Sequence, residues 1–287
     1  MKGVFSALRK KRASNAIVDS DYVTTKLPRI TRELLDTCER IGPNDSHIYR
    51  LNATTVVKVG DHVRLAEAHA MRYVRKNTSI PLPEVLDAYL LDDQEGVSAP
   101  HTCIVMTFVE GKTLDEEWPT YTDVEKANIT SELKSYIAEM RTLRSSQIAS
   151  VDGTYCNDQF FSDELGSYGP FESESAFKAG LAAALRAKGD NSWTEMIIKF
   201  IQSLPDGEVL LTHNDIAPRN ILVKNAKVVA ILDWENSGFY PEYWEYVKAM
   251  YWPDWQSPWI TEGVVDSILN PYITELALLL HAREIIW

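Results

Sequence analysis

His213, Asp215, Asn220 and Asp233 fall within one run, LTHNDIAPRNILVKNAKVVAILDWE. A His-x-Asp pair, an amide five residues beyond that Asp, and a second carboxylate closing an apolar run make a compact polar set. Phosphoryl transfer calls for this combination. One carboxylate accepts the proton of an attacking hydroxyl, while an amide and a second carboxylate hold magnesium. Asp233 directly follows Val228-Val229-Ala230-Ile231-Leu232, where an unpaired carboxylate would be costly. Asp and Asn also form ordinary turns, so the set needs structural context before it means chemistry.

Positioning these groups falls to the elements around them. EVLLT, NILV and KVVAILD read as strand, loop, strand, turn, strand. Val209, Leu210, Leu211, Val228, Val229, Ile231 and Leu232 supply the apolar, β-branched character that strands prefer. Asn225-Ala226 suits a short hairpin turn between the last two. One sheet of this kind sets the loop of Asp215 and Asn220 beside the C-terminal end of the strand leading to Asp233. Upstream, TTVVKVG places Lys58 in a strand over 54–59. The next segment, VRLAEAHAMRYVRK, is helical in period, with Val63, Ala66, Ala70 and Val74 on one face and Glu67 among them. An inward carboxylate needs a cationic partner, and Lys58 on the adjacent strand is the candidate. That strand-lysine and helix-glutamate pair is how protein kinases place ATP phosphates. The plain alternative is a surface lysine and a solvated glutamate.

On these stretches the chain resembles the aminoglycoside phosphotransferase and choline kinase-like family, most closely its fungal-type branch. The matching segments are VVKVG, EAHAMRYVRKNTSIPLPEV, IVMTFVEGKTL, LTHNDIAPRNILV and ILDWENSGFYPEYWEY, in the family's order over roughly residues 43–250. The resemblance implies an α+β, bilobal protein-kinase-like fold, with a small, mainly β N-lobe and a larger, mainly α C-lobe. It makes Asp215 the catalytic base and His213 the support of its loop. Asn220 and Asp233 become magnesium ligands, Lys58 the phosphate-binding lysine and Glu67 its partner. Met106 and Phe108 lie in the hinge that lines the adenine through backbone groups. Three departures stand out. The glycine-rich loop GxGxxG is absent, and Gly42-Pro43-Asn44-Asp45-Ser46-His47 stands in its place, where Ser46 and backbone amides cradle phosphate. Asn214 replaces a glycine common in relatives, and Asn tolerates left-handed backbone. Trp234-Glu235, rather than Phe-Gly, follows Asp233. Glu235 then has either a metal or acceptor contact or a structural one.

Composition is consistent with a folded enzyme: 287 residues exceed one small core, and 45% hydrophobic content leaves little room for extended disorder. A net charge of −12 argues against nucleic acid and permits a cationic acceptor. Three unpatterned cysteines, Cys38, Cys103 and Cys156, fit a reducing, cytoplasmic compartment without a disulfide scaffold. No apolar stretch reaches membrane-spanning length. The basic start, with Lys2, Arg9, Lys10, Lys11 and Arg12, leaves a mitochondrial presequence as the minor alternative to a plain tail.

The expected organisation is a tail and leading helix (1–42, the helix over 31–40), an N-lobe (43–109) and a C-lobe (110–287). Within these, strands are expected over 85–90 and 102–109, a polar turn over 92–96, and a long helix over 122–143 with Ile129, Leu133, Ile137 and Met140 inward. Aromatic residues crowd the segment after Asp233. Most are read as core and one or two as an acceptor wall, with Trp252 and Trp255 the positions to test. The partners are thus ATP and a small-molecule hydroxyl acceptor, with magnesium as cofactor and the oligomeric state open. Two rivals stay open: a silent kinase-like nucleotide- or metabolite-binding module, and a metal-dependent hydrolase ligated by His213, Asp215 and Asp233.

Overall fold

The computed structural model describes residues 29–42, 47–91, 101–161, 168–251 and 253–286. The basic N-terminal stretch, Ser46, the polar turn over 92–96 and Trp252 lie outside them.

Val56, Val57 and Val59 make β3 (Thr55–Gly60) the centre of a five-stranded antiparallel sheet, buried along its whole length. Its neighbours are β1 (Glu39–Ile41), β2 (Ile48–Arg50), β4 (Val85–Leu90) and β5 (Thr102–Thr107), in the order β1-β2-β3-β5-β4. Side chains alternate across the sheet. Val57, Val59, Cys103 and Val105 pack on one face with Ile30 and against Leu34 and Leu35 of α1 (Arg32–Asp36). Val56, Ile104 and Met106 join the main core on the other face. Lys58 shares their side by parity, in register with Ile104. On that side runs α2 (Leu65–Asn77), burying Ala66, Glu67, Ala70, Met71 and Val74.

The leading helix is shorter than its sequence suggests. Thr37 turns its hydroxyl back onto the Leu34 carbonyl at 2.7 Å, and its own amide goes to the same oxygen. Such side-chain competition ends the helix at Asp36, and β1 starts at Glu39 instead of the helix running over 31–40. Likewise β5 stops at Thr107, not 109, because the Thr107 and Phe108 amides bond Glu84 and Thr54 carbonyls outside the ladder.

The rest is mainly helical. After β6 (Lys112–Thr113) and α3 (Leu114–Glu117), α4 (Asp123–Met140) begins at a reciprocal cap between Thr122 and Glu125. It buries Ile129, Leu133, Ile137 and Met140, as its periodicity predicts. β7 (Ala149–Ser150), α5 (Glu174–Lys188) and α6 (Ser192–Ser203) lead to β8 (Val209–Thr212), β9 (Ile221–Lys224), β10 (Lys227–Ile231) and β11 (Gly238–Pro241). α7 (Trp244–Ala249), α8 (Pro258–Thr261), α9 (Val264–Ile268) and α10 (Ile273–Ile286) close the chain.

One expectation changes here. β8 does not share a sheet with β9 and β10. It pairs with β11 in a β7-β11-β8 sheet, while β10-β9-β6 forms another. All four residues of β8 are paired with β11, from Val209 opposite Pro241 to Thr212 opposite Gly238. The β9–β10 hairpin is as predicted, with Asn225 and Ala226 both at φ 53°, the backbone of a type I′ turn. Among the described residues no helix is long and apolar enough to cross a membrane.

Candidate active site

The Lys58 ammonium lies 3.0 Å from Glu67 Oε1, 2.9 Å from Asp233 Oδ1 and 3.0 Å from Glu235 Oε2. Residues 175 positions apart thus meet on one nitrogen. β3 delivers the lysine, the second turn-facing position of α2 delivers Glu67, and the left-handed residue after β10 delivers Asp233 at φ 63°. Lys58 and Glu67 are both buried. Burial alone would lower the lysine's pKa, yet Glu67, Asp233 and Glu235 together hold it above its ordinary value. Burial pushes Glu67 up to about 7 against the pull of Lys58. The predicted Lys58–Glu67 pair is present. Glu235 joins it as a third carboxylate on the same ammonium.

The loop after β8 is held from within. His213 is fully buried, accepting the Asp215 amide at Nδ1 (3.2 Å), so that Nε2–H donates to the Leu232 carbonyl at 2.9 Å. Both ring nitrogens are therefore engaged, and the ring ties the loop to the end of β10. It supports the loop and has no lone pair to offer a metal, which removes the basis of the hydrolase reading. Asn214 takes φ 72°, the left-handed backbone its side chain tolerates, and donates from Nδ2 to the Asn236 carbonyl at 2.8 Å. Arg219 Nη2 reaches both carboxylate oxygens of Asp215, at 2.5 and 2.7 Å. Asn220 Nδ2 donates to Asp215 Oδ2 at 2.8 Å and to its carbonyl at 3.0 Å. The amide of Leu232 in turn bonds the Asn220 carbonyl at 2.8 Å. Asp215, Asn220 and Asp233 are brought together by these ties rather than by a shared three-stranded sheet.

Glu245 is the residue that sequence reasoning missed. It sits on α7, wholly buried, and accepts the backbone amides of His213 at 2.6 Å and Asn214 at 3.1 Å. Burial raises its pKa, opposed by His213 and Arg141. A signal did exist: a carboxylate inside Trp244-Glu245-Tyr246-Val247, all four buried, must find donors.

The oxygen chemistry suits magnesium. Asn220 Nδ2 is taken by Asp215, which directs Oδ1 away from it, and Asp233 gives only Oδ1 to Lys58. One amide oxygen and one half-exposed carboxylate oxygen are hard donors, left for a cation that keeps water and phosphate oxygens for its remaining positions. Among the described residues no group of three or more His, Cys, Asp or Glu could hold a metal without such help.

A cavity of about 580 Å³ opens beside Asp215 and Arg219, within the range for small-molecule sites. Its wall includes Asp115, Lys248, Tyr251, Asp254 and Trp259. Tyr251 and Trp259 line it, whereas Trp255 is 49% exposed and does not. Most of the other aromatics, Trp234, Tyr240, Trp244 and Tyr246 among them, are core. Met106 is the last but one residue of β5, and Phe108, just past the strand's end, sits under the Arg50 guanidinium, 4.0 Å from the ring centre. The Phe108 amide already donates to Thr54 O, which leaves its carbonyl as the group a purine could use.

A model of the phosphotransferase enzyme family matches residues 38–279. No curated protein gives a match. Among solved structures, ADP-bound aminoglycoside phosphotransferase APH(2'')-Ib shares 16% identity at a TM-score of 0.55, over 89% of this chain and 86% of that one. A streptomycin–ATP–APH(2'')-IIa ternary complex shares 14% at 0.52, over 88% and 83%. A thermostable mutant of APH(4)-Ia in ternary complex with AMP-PNP and hygromycin B shares 15% at 0.55, over 86% and 84%. At such identities the likeness establishes the protein-kinase-like fold, and nothing in it supports a fungal-type branch.

Proposed function

We propose, from the premise that this chain belongs to the phosphotransferase enzyme family, that it moves the γ-phosphate of ATP to a hydroxyl of a small molecule. The observation that carries this reading is the meeting of Lys58, already paired with Glu67, with Asp233 at 2.9 Å, next to a loop that presents Asp215 and Asn220. Solved relatives in fold hold ADP or AMP-PNP with hygromycin B, or ATP with streptomycin, which supports a nucleotide and a hydroxylated acceptor here.

In this reading the nucleotide lies between the five-stranded sheet and the helical part, its adenine against Met106 and the Phe108 carbonyl. Lys58 binds phosphate oxygens, kept in place by Glu67. Asn220 Oδ1 and Asp233 would hold magnesium, which would supply positive charge to the nucleotide's phosphates. Asp215 orients the acceptor hydroxyl toward the γ-phosphate and accepts its proton, after exchanging the Arg219 contact for the substrate. The acceptor occupies the 580 Å³ cavity. Asp115 and Asp254 line it with carboxylates, while its cations Arg219 and Lys248 are paired with Asp215 and Asp158, a balance that favours an acceptor carrying a positive charge.

Calorimetric titration of the full chain with Mg-ATP tests the nucleotide half of this reading. Wild type binds, and Lys58→Met loses at least about tenfold in affinity, the loss of one charge-assisted contact. Asp233→Asn weakens Mg-ATP more than metal-free ATP. Equal affinities in all three proteins would remove the assignment.

A further inference from the structure

Arg64 stands at the N-cap of α2, a position that favours Ser, Thr, Asp or Asn, and its side chain makes no capping bond. The guanidinium leaves the helix and crosses to the helical part of the chain. Nη2 donates to Thr154 Oγ1 at 3.1 Å and to the Tyr155 carbonyl at 3.3 Å. The guanidinium carbon lies 4.0 Å from the centre of the Tyr155 ring, a cation–π distance.

The receiving turn is itself fixed. Asp152 Oδ1 accepts from the Thr154 amide at 3.0 Å and from its hydroxyl at 2.6 Å. Ser150 Oγ donates to the Tyr155 carbonyl at 2.8 Å, and Ser150 belongs to β7, paired with Gly238 of β11. Arg64 therefore grips a turn that is hydrogen-bonded within itself and to β7. Its Nη1 is buried with no hydrogen-bond partner.

What the grip controls is one helical turn away. The Glu67 amide bonds the Arg64 carbonyl at 3.1 Å, so the placement of Arg64 sets the start of the turn from which Glu67 reaches Lys58. Further along α2, Tyr73 meets Phe239 of β11 edge to face, 6.0 Å between ring centres. The helix is thus held at its start by a polar contact with the turn after β7, and further along by an aromatic contact with β11.

We infer that Arg64, with the Thr154-Tyr155 turn, is a positioning device for the nucleotide site: it sets α2 against the helical part so that Glu67 holds Lys58 where phosphate binds. Neither Arg64 nor Tyr155 lines the acceptor cavity. The inference rests on the ATP-dependent reading above and adds a determinant of nucleotide affinity that acts through Glu67.

Calorimetry of the full chain with Mg-ATP tests it, alongside thermal unfolding. Arg64→Ala weakens Mg-ATP about 3- to 10-fold, and Tyr155→Leu, which keeps the carbonyl but removes the ring, about 2- to 5-fold. Arg64→Lys recovers part of the loss. In a Glu67→Gln background the Arg64→Ala change no longer affects Mg-ATP affinity, because the element it positions is gone. A merely structural role lowers the unfolding midpoint in both backgrounds without this coupling. Unchanged Mg-ATP affinity in Arg64→Ala and Tyr155→Leu overturns the inference, as does an equal loss with and without Glu67. Absence of Mg-ATP binding by wild type removes the parent reading and the inference with it; binding by wild type with no coupling removes the inference alone.

Discussion

Glu67 titrates beside the Lys58 ammonium, and the consequences for stability and for function have opposite signs. Burial raises the Glu67 pKa from its ordinary 4.5 to about 7. A folded-state value above the unfolded one means that the folded protein binds the proton more tightly. The stability this group contributes is therefore complete below 4.5 and is lost as pH climbs through about 7. Function runs the other way, because the form that holds Lys58 in place is the carboxylate. Mg-ATP affinity is expected to rise between about pH 6 and pH 8. Glu67→Gln should flatten that rise to whatever ATP's own titration produces. Dissociation constants measured across this range in both proteins check it, and parallel curves would show that Glu67 is not the titrating group. The residue scale is also where the sequence is most readable. A lysine in a β-branched run and a glutamate on the apolar face of the next helix leave each other as the obvious partner. Arg219 is less readable. Its contact with both oxygens of Asp215 depends on the loop's backbone, which residue types alone do not define.

Elements carry the site's precision. The β9–β10 hairpin places both central residues at φ 53°, and one of them is Ala226, whose methyl is unfavourable in left-handed backbone. Ala226→Gly creates the Asn-Gly pair that a type I′ turn prefers. It should stabilise the fold by about 0.5–1 kcal/mol, seen as a higher denaturation midpoint. A fall in midpoint would mean that the Ala226 methyl's core packing outweighs the turn. Glu245 makes the parallel case for α7. Glu245→Gln sets an amide NH₂ against the His213 or Asn214 N–H, two donors facing each other, and displaces the loop that carries Asp215. We expect kcat to fall about 10- to 100-fold while the KM for ATP holds. A variant with wild-type kcat would show that the loop needs no such anchor. Periodicity revealed α2 and α4, and turn chemistry revealed the hairpin. Neither could say that β8 pairs with β11 rather than β9, because strand propensity carries no information about partners. Glu245 was hidden for the same reason: its sequence shows that it needs donors, but not that they lie 31 and 32 residues upstream.

At the scale of the molecule, the five-stranded sheet and the helical part each contribute residues to the proposed site. Lys58 and Glu67 come with the sheet and α2; Asp215, Asn220 and Asp233 come with the loops around β8, β9 and β10. The sequence order of these pieces, with about 150 residues between them, was legible because each piece is a local pattern. The acceptor was not legible, since the cavity proposed for it is assembled from α3, the loop after β8 and the segment beyond α7. Its carboxylates, Asp115 and Asp254, point the search toward hydroxylated cations. The decisive measurement is ADP release from Mg-ATP in the presence of a panel of hydroxylated amines, aminoglycosides included, for wild type and Asp215→Asn. The account predicts acceptor-stimulated release by wild type and a loss of about 10²- to 10⁴-fold in the variant, with Mg-ATP still bound. Acceptor-stimulated release that survives at the wild-type rate without the Asp215 carboxylate would contradict it.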